Sequence, residues 1–356
     1  MKSEHDTLVI CTPGFPESEA DTTCLPMQQQ LVKNLKENYP RLNIVILSFQ
    51  YPYFTKSYKW FDTTVMSFGG KNKGGLARLL RRRKLMAALK DINQSKKITG
   101  ILSLWYGECA RIGKIFADRN NIKHFCWILG QDAKKGNKDV QRTKLEESEM
   151  IALSDFIQTE FEKNHGTRPQ FVIPPGIDAK QFAHPIKEKD IDIIAAGSLI
   201  PLKQFEIFVA VVAEIKKQMP DVKALLIGDG PEKNKLQALI TSRGLGPNII
   251  LAGELPHPEL LQYMQRGKVF LHPSSYEGFG VVCIEALHAG CQVISFCRPM
   301  ALYIPHWHIV PGKKQMTEKT IEILQNPGSV YKSLTPFPMD DTAKKMMALF
   351  GLMQNG

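Results

Sequence analysis

Apolar residues along this chain fall into short unbroken runs parted by longer mixed stretches. In the first half the runs are Leu8–Cys11, Asn43–Phe49, Gly100–Trp105, His124–Leu129 and Met150–Ile157. Short runs without polar alternation mark strands buried on both faces. Leu25–Asn38, Gly75–Ile92, Cys109–Asn120 and Asp139–Ser148 lie between them and are predicted as helices. The second half repeats the scheme more plainly. Its predicted strands are Asp192–Ala196, Ala224–Ile227, Ile249–Ala252, Val269–His272 and Val293–Phe296. Its predicted helices are Lys203–Lys217, Glu232–Arg243, Pro258–Arg266 and Phe279–Ala289. Strand and helix in alternation predict an α/β protein with a parallel, doubly wound sheet in each half. Ligands of such sheets gather at the carboxyl ends of the strands.

Phe171-Val172-Ile173-Pro174-Pro175-Gly176-Ile177-Asp178 interrupts the alternation, since two prolines and a glycine prevent regular structure. The predicted boundary falls at 175–188, and 356 residues suit two domains of ordinary size. The expected division is an N-terminal domain over 1–180 and a C-terminal domain over 181–335. A last segment, 336–356, carries a helix over Asp341–Gln354, N-capped by Asp341 and returning to the first domain. Hydrophobic content of 43% against 23% charged residues is that of a globular protein. The polar start Met1–Asp6 predicts no signal peptide, and no apolar stretch approaches bilayer length. Seven cysteines without C-x-x-C spacing predict reduced thiols and a cytoplasmic protein.

The net charge of +11 is concentrated. Lys71–Lys97 holds ten Lys or Arg against one acid, Asp91, and supplies +9 of it. On a straight helix over Gly75–Ile92, Leu76, Leu79 and Leu80 would lie nearly opposite Leu85, Leu89 and Ile92. The pattern therefore predicts a break or a change of packing around Arg81-Arg82-Arg83-Lys84. The aromatic stretch before it, Gln50 to Phe61, is predicted as a loop. Such a basic face is either solvated or a surface for anionic lipid, peripheral at the inner face of a membrane, or for a phosphate-bearing acceptor. Nucleic acid is not expected, because no recognised binding motif accompanies the charge.

Candidate chemistry centres on one stretch. The strand Val269–His272 runs into Glu277-Gly278-Phe279-Gly280, and an almost wholly apolar helix follows with one carboxylate, Glu285. A helix that apolar is buried on most faces, and an ionised Glu within it needs polar company. The turn ahead of it sets free backbone N–H groups at a helix start, where the dipole favours an anion. Together these describe a pocket for a phosphate beside hydroxyl groups. The string EGFGVVCIEA, with seven residues between Glu277 and Glu285, resembles the E-x7-E signature of retaining glycosyltransferases with the GT-B fold, in particular family 4. That resemblance implies two doubly wound Rossmann-like domains facing across a cleft, the second holding a nucleotide-sugar donor and the first the acceptor.

The resemblance assigns roles residue by residue. It puts Glu285 on the ribose hydroxyls and Glu277 against the donor sugar, with backbone N–H groups of Gly278, Phe279 and Gly280 on the diphosphate or sugar. The Phe279 side chain is expected to pack. In Gly197-Ser198-Leu199-Ile200-Pro201-Leu202-Lys203, Lys203 matches the family's phosphate-binding lysine, while Ser198 stands where an arginine is usual. Gly228-Asp229-Gly230-Pro231 resembles the turn that borders the base; as a bare Gly-x-Gly, Asp229 is equally a tight-turn residue. Gly14, after the first strand, resembles a loop glycine that touches donor phosphate and acceptor. Gly130-Gln131-Asp132 occupies the place of a segment that often carries a His; Asp132 either binds acceptor or donor sugar, or caps its own loop. No acid cluster or paired histidines suggest a metal, and no cofactor is expected beyond a donor such as a UDP- or GDP-sugar.

The expected activity is metal-independent, hexosyltransferase-type transfer from a nucleotide-diphosphate sugar to a hydroxyl of a glycan or lipid-linked acceptor. Two other classes remain open here. Ser198 and the missing His suit a nucleotide-sugar binding protein without turnover, and the basic segment suits an adaptor at membranes or nucleic acid.

Overall fold

A computed structural model describes residues 6–182 and 188–352. The expected start at Met1–His5, part of the expected boundary (183–187) and the last expected helical residues, 353 and 354, lie outside the described residues. The chain divides into two compact units, Met1–Gly176 with Met339–Gly356, and Ile177–Pro338.

The first unit runs β1 (Asp6–Gly14), α1 (Pro26–Asn38), β2 (Asn43–Tyr51), β3 (Thr55–Trp60), β4 (Thr63–Phe68), α2 (Gly75–Ser95), β5 (Lys97–Leu104), α3 (Glu108–Asn120) and β6 (Lys123–Ile128). It continues with α4 (Lys138–Thr143), β7 (Met150–Ala152), α5 (Asp155–His165) and β8 (Phe171–Val172). Among the described residues these strands form an eight-stranded sheet, β3-β4-β2-β1-β5-β6-β7-β8, parallel except for β3 against β4. That hairpin replaces the predicted aromatic loop. β4 alternates buried and half-buried residues, a period-2 pattern that a search for unbroken apolar runs passes over. β3 is an exposed edge strand carrying Lys56 and Lys59, a common guard against edge pairing. The run Met150–Ile157 is likewise not one strand. Ser154 Oγ accepts the Ile157 N–H at 3.1 Å, a helix N-cap that stops the strand and starts α5.

α2 does not break. It is one helix, and what changes along it is packing: residues 75–80 are all exposed, whereas Arg81, Leu85, Ala88, Leu89 and Ile92 are buried. Leu85, Leu89 and Ile92 join Val9, Val45, Leu47 and Phe116 in one core. Glu108, at the start of α3, holds Arg81 at 2.6 Å and Arg82 at 2.9 Å.

The second unit runs β9 (Ile191–Ala196), α6 (Phe205–Lys216), β10 (Ala224–Ile227), α7 (Lys233–Ser242), β11 (Ile249–Gly253), α8 (His257–Arg266), β12 (Gly267–His272), α9 (Val281–His288), β13 (Gln292–Ser295), β14 (Trp307–Ile309) and α10 (Lys313–Gln325). Among the described residues its sheet is six parallel strands in the order β11-β10-β9-β12-β13-β14. From β9 the chain steps outward through β10 and β11, then returns to β12 on the other side of β9. The strand order reverses there, so the carboxyl ends of β9 and β12 flank the switch point where doubly wound sheets open a crevice. α6 packs Phe205, Phe208, Val209 and Val212 on this sheet.

The last helix, α11 (Met339–Phe350), belongs to the first unit. It starts two residues before Asp341, which therefore lies in the first turn instead of capping it. Asp340 accepts hydrogen bonds from Asn34 and Asn38 of α1, and Phe350 meets Phe125 edge-on at 5.0 Å.

Candidate functional site

The switch point brings together one cation and one anion of the second unit. After β9 the chain makes a short 3-10 turn, Pro201–Lys203, closed by Gln204 in a left-handed conformation, and α6 begins only at Phe205. Lys203 is thus a loop residue and not, as predicted, a helical one. Its ammonium reaches Glu277, beyond β12, with Nζ to Oε2 at 2.6 Å. His272, the last residue of β12, donates from Nε2 to the same oxygen at 3.1 Å. Burial holds His272 below its ordinary pKa and so neutral, and its Nδ1 is buried without a hydrogen-bond partner. Burial alone would push the Glu277 carboxyl up, but the hydrogen bond from His272 and the adjacent Lys203 ammonium outweigh it and hold it at about 2. The result is a fixed anion and a fixed cation, both half-buried.

A helix start lies against this pair. Gly280 is the N-cap of α9 with φ +80°, a left-handed conformation that L side chains rarely adopt. A Cβ there would also sit 3.3 Å from Glu277 Cγ. Gly280 makes no side-chain cap, and the first N–H groups of any helix have no intrahelical acceptor. Phe279 is buried edge-on against Phe337 and Trp307, so its side chain is a packing element.

Glu285 lies on α9 among Cys283, Ile284, Ala286 and Leu287, all wholly buried, and is itself only 9% exposed. Its polar company comes from α8. His257 Nε2 approaches Glu285 Oε1 at 2.8 Å, and His257 is buried too. His257 and His272 were not picked out from the sequence. The available signals were a histidine next to Pro258 at a helix start and a histidine ending an otherwise apolar strand.

The other sequence candidates are more dispersed. Ser198 is exposed in the loop after β9. Gly228 packs on that loop so closely that a Cβ would fall 2.0 Å from Gly197 O, which demands glycine there. Asp229 is exposed, accepts the Gly230 N–H at 2.7 Å, and pairs with Lys233 at 2.8 Å, which lowers its pKa. That is the geometry of a turn residue.

Two candidates belong to the first unit. Gly14 is the buried last residue of β1 and not part of a loop; Thr12 Oγ1 donates to its carbonyl at 2.8 Å. Asp132 is buried in the 3-10 turn Gly130–Ala133, and its Oδ2 accepts the Leu129 N–H at 2.9 Å. Burial pushes its carboxyl up to about 7 against the opposing pull of the Leu129 and Tyr106 backbone. Of its two sequence readings this geometry matches the loop cap.

Among the described residues no group of three His, Cys, Asp or Glu could hold a metal ion, and all seven cysteines are free thiols.

Residues 176–332 match the family described as glycosyl transferases group 1. Among curated proteins, the gpi3 subunit of phosphatidylinositol N-acetylglucosaminyltransferase from Schizosaccharomyces pombe is 34% identical over 127 residues, covering 35% of this chain and 28% of that one. The chain spans about a third of the length of the curated relatives it matches. Among solved structures, sucrose-phosphate synthase from Thermosynechococcus elongatus superposes with a TM-score of 0.70 at 19% identity, covering 98% of this chain and 95% of that one. HepE of Anabaena, in complex with UDP-glucose, gives 0.67 at 16% identity, covering 96% and 94%. At such identities the likeness is one of fold: the two α/β units of the GT-B architecture.

Proposed function

Residues 176–332 belong to the group 1 glycosyl transferases, and on that premise we propose that the chain transfers a hexose, with retention of anomeric configuration and without a metal ion, from a nucleotide-diphosphate sugar to an acceptor hydroxyl. The observation that carries this reading is the Lys203–Glu277 pair set against the start of α9. In the transfer the bond from anomeric carbon to diphosphate breaks, the acceptor oxygen bonds to that carbon, and its proton passes to the leaving diphosphate. Negative charge grows on the leaving diphosphate. A positioned ammonium and helix N–H groups stabilise it without reorganising. Lys203 has three N–H donors, so it can keep Glu277 and still donate to a phosphate oxygen. Glu277, ionised throughout the working range, faces the sugar, while Glu285 receives the ribose hydroxyls; Gly278 and Phe279 contribute backbone N–H groups. Ser198 and Asp229 border the nucleotide, and Gly14 the acceptor.

The decisive experiment incubates the protein with labelled UDP- and GDP-sugars and a detergent extract of glycan and lipid acceptors. Transfer is expected, and Lys203→Ala should slow it by about 10²–10³-fold. Unchanged turnover in that variant would remove the lysine from the mechanism. Nucleotide-sugar binding with neither transfer nor hydrolysis would favour the binding-protein reading, which rests on Ser198 standing in place of a cation.

The acceptor is lipid-linked on this reading, as the name of the S. pombe relative suggests, and the first unit carries a surface suited to its membrane. Leu76, Leu79 and Leu80, at i, i+3 and i+4 of α2, are 70%, 48% and 47% exposed. Exposed Lys71, Lys73, Arg78, Arg83 and Lys84 flank them along the chain. Apolar residues that enter the interface, flanked by cations worth about 1 kcal/mol each near anionic lipid, give peripheral attachment at the cytoplasmic face. Among the described residues no helix is long and apolar enough to cross a membrane. The protein should sediment with vesicles containing phosphatidylglycerol and not with pure phosphatidylcholine. Glu at positions 76, 79 and 80 together should abolish this; undiminished sedimentation would clear α2 of the role.

A further inference from the structure

Glu285 is the carboxylate that the sequence singles out, yet nothing in the sequence says what steadies it. An ionised carboxylate offers about four acceptor sites on two oxygens and is costly to bury unless they are used. In the structure one is taken by His257, whose Nε2 lies 2.8 Å from Oε1. Both groups are buried, His257 at the first position of α8 and Glu285 within α9, so the contact joins two helices packed side by side. A glutamate has three rotatable side-chain bonds. Held at one oxygen by a ring that is itself packed in place, it can turn the other oxygen in few directions.

We propose that His257 is a positioning residue for nucleotide recognition: by holding Oε1 of Glu285 it presents the second oxygen to a vicinal diol. It thereby supplies the preference for ribo- over 2′-deoxynucleoside diphosphates. The inference rests on the reading of Glu285 as the ribose ligand. It goes beyond that reading by placing the preference for a diol in a pair of side chains, one of which contacts no ligand. The histidine is not a catalytic residue, because it acts only through the glutamate.

The test measures equilibrium binding of UDP, GDP and their 2′-deoxy forms to the full-length chain. Wild type is compared with Glu285→Gln and with three changes at residue 257. His257→Phe keeps a ring and removes the donor, His257→Ala removes both, and His257→Gln restores an N–H near the Nε2 position. Wild type should prefer the ribonucleotide by about tenfold, the worth of one hydrogen bond to a charged group. His257→Phe and His257→Ala should lose that preference by weakening the ribonucleotide alone, and His257→Gln should recover part of it. If one of these variants fails to fold, the others still decide. A wild type without the preference, or one that binds none of the four nucleotides, would bring down the ribose reading and this inference together. A preference abolished in Glu285→Gln but intact in His257→Phe would overturn the inference alone. So would an equal loss of ribo- and deoxynucleotide binding in His257→Phe, the mark of a merely structural role.

Discussion

Asp132 and Glu277 show how one chemical group, the carboxyl, is driven in opposite directions by its surroundings. The Asp132 carboxyl, raised to about 7 by burial, stays protonated in the folded chain over a range where the unfolded chain, at about 3.9, has lost the proton. The folded state then holds the extra proton, so stability is fullest below about 4 and falls as pH rises towards 7. Asp132→Asn keeps an oxygen for the Leu129 N–H and cannot ionise. Urea midpoints measured from pH 4 to 8 should decline across that window in wild type and lose this component in the variant; superimposed profiles would contradict the burial account. Glu277 runs the other way. Held at about 2, it contributes stability that is present above its unfolded pKa, near 4.3, and is lost as pH falls through about 2. Both carboxylates were visible in the sequence as acids after strands. Which one would be spent on its own loop was not, since that depends on whether the chain turns back to offer an N–H.

Elements were legible wherever the apolar pattern was unbroken, as in β1, β2, β9, β10 and β12. They were missed where the signal was alternation or a single cap. β4 alternates, β3 is a mostly exposed edge strand, and α5 is announced by one serine inside an apolar run. The apolar pattern divides α2 into two kinds of surface, but it does not tell its cations apart. Arg81 and Arg82 are tied to Glu108, whereas Arg83 and Lys84 are exposed. Arg81→Ala leaves Glu108 short of a partner near the core and should cost about 3 kcal/mol in denaturant unfolding. Arg83→Ala should stay within about 0.5 kcal/mol. Equal costs would mean that the clamp between α2 and α3 contributes nothing beyond ordinary surface charge. It follows that charge removal at all three arginines would confound membrane attachment with folding.

For the whole molecule, the number of sheets and their parallel character followed from alternation alone, but strand order did not. The reversal between β9 and β12, which brings Lys203 to Glu277, is set by packing of helices on both faces and leaves no mark in any single stretch. Nor does the sequence say how tightly the last helix joins the first unit. Met339, Ala343, Met346, Met347 and Phe350 are all buried in α11. At about 1.5–3 kcal/mol for each large apolar side chain, their loss rivals the net stability of a typical domain. A chain ending at Pro338 should therefore lose the cooperative unfolding transition of its first unit while keeping one for the second; a single unchanged transition would show that α11 is dispensable.

Where the second unit begins and ends, Ile177 bridges Pro338 and its N–H binds Phe337 O at 2.8 Å. A guest segment whose two ends meet at one spot can be lifted from its host and another set in its place without stretching either. Inheritance can in this way exchange the second unit as a cassette, leaving the first with its own history.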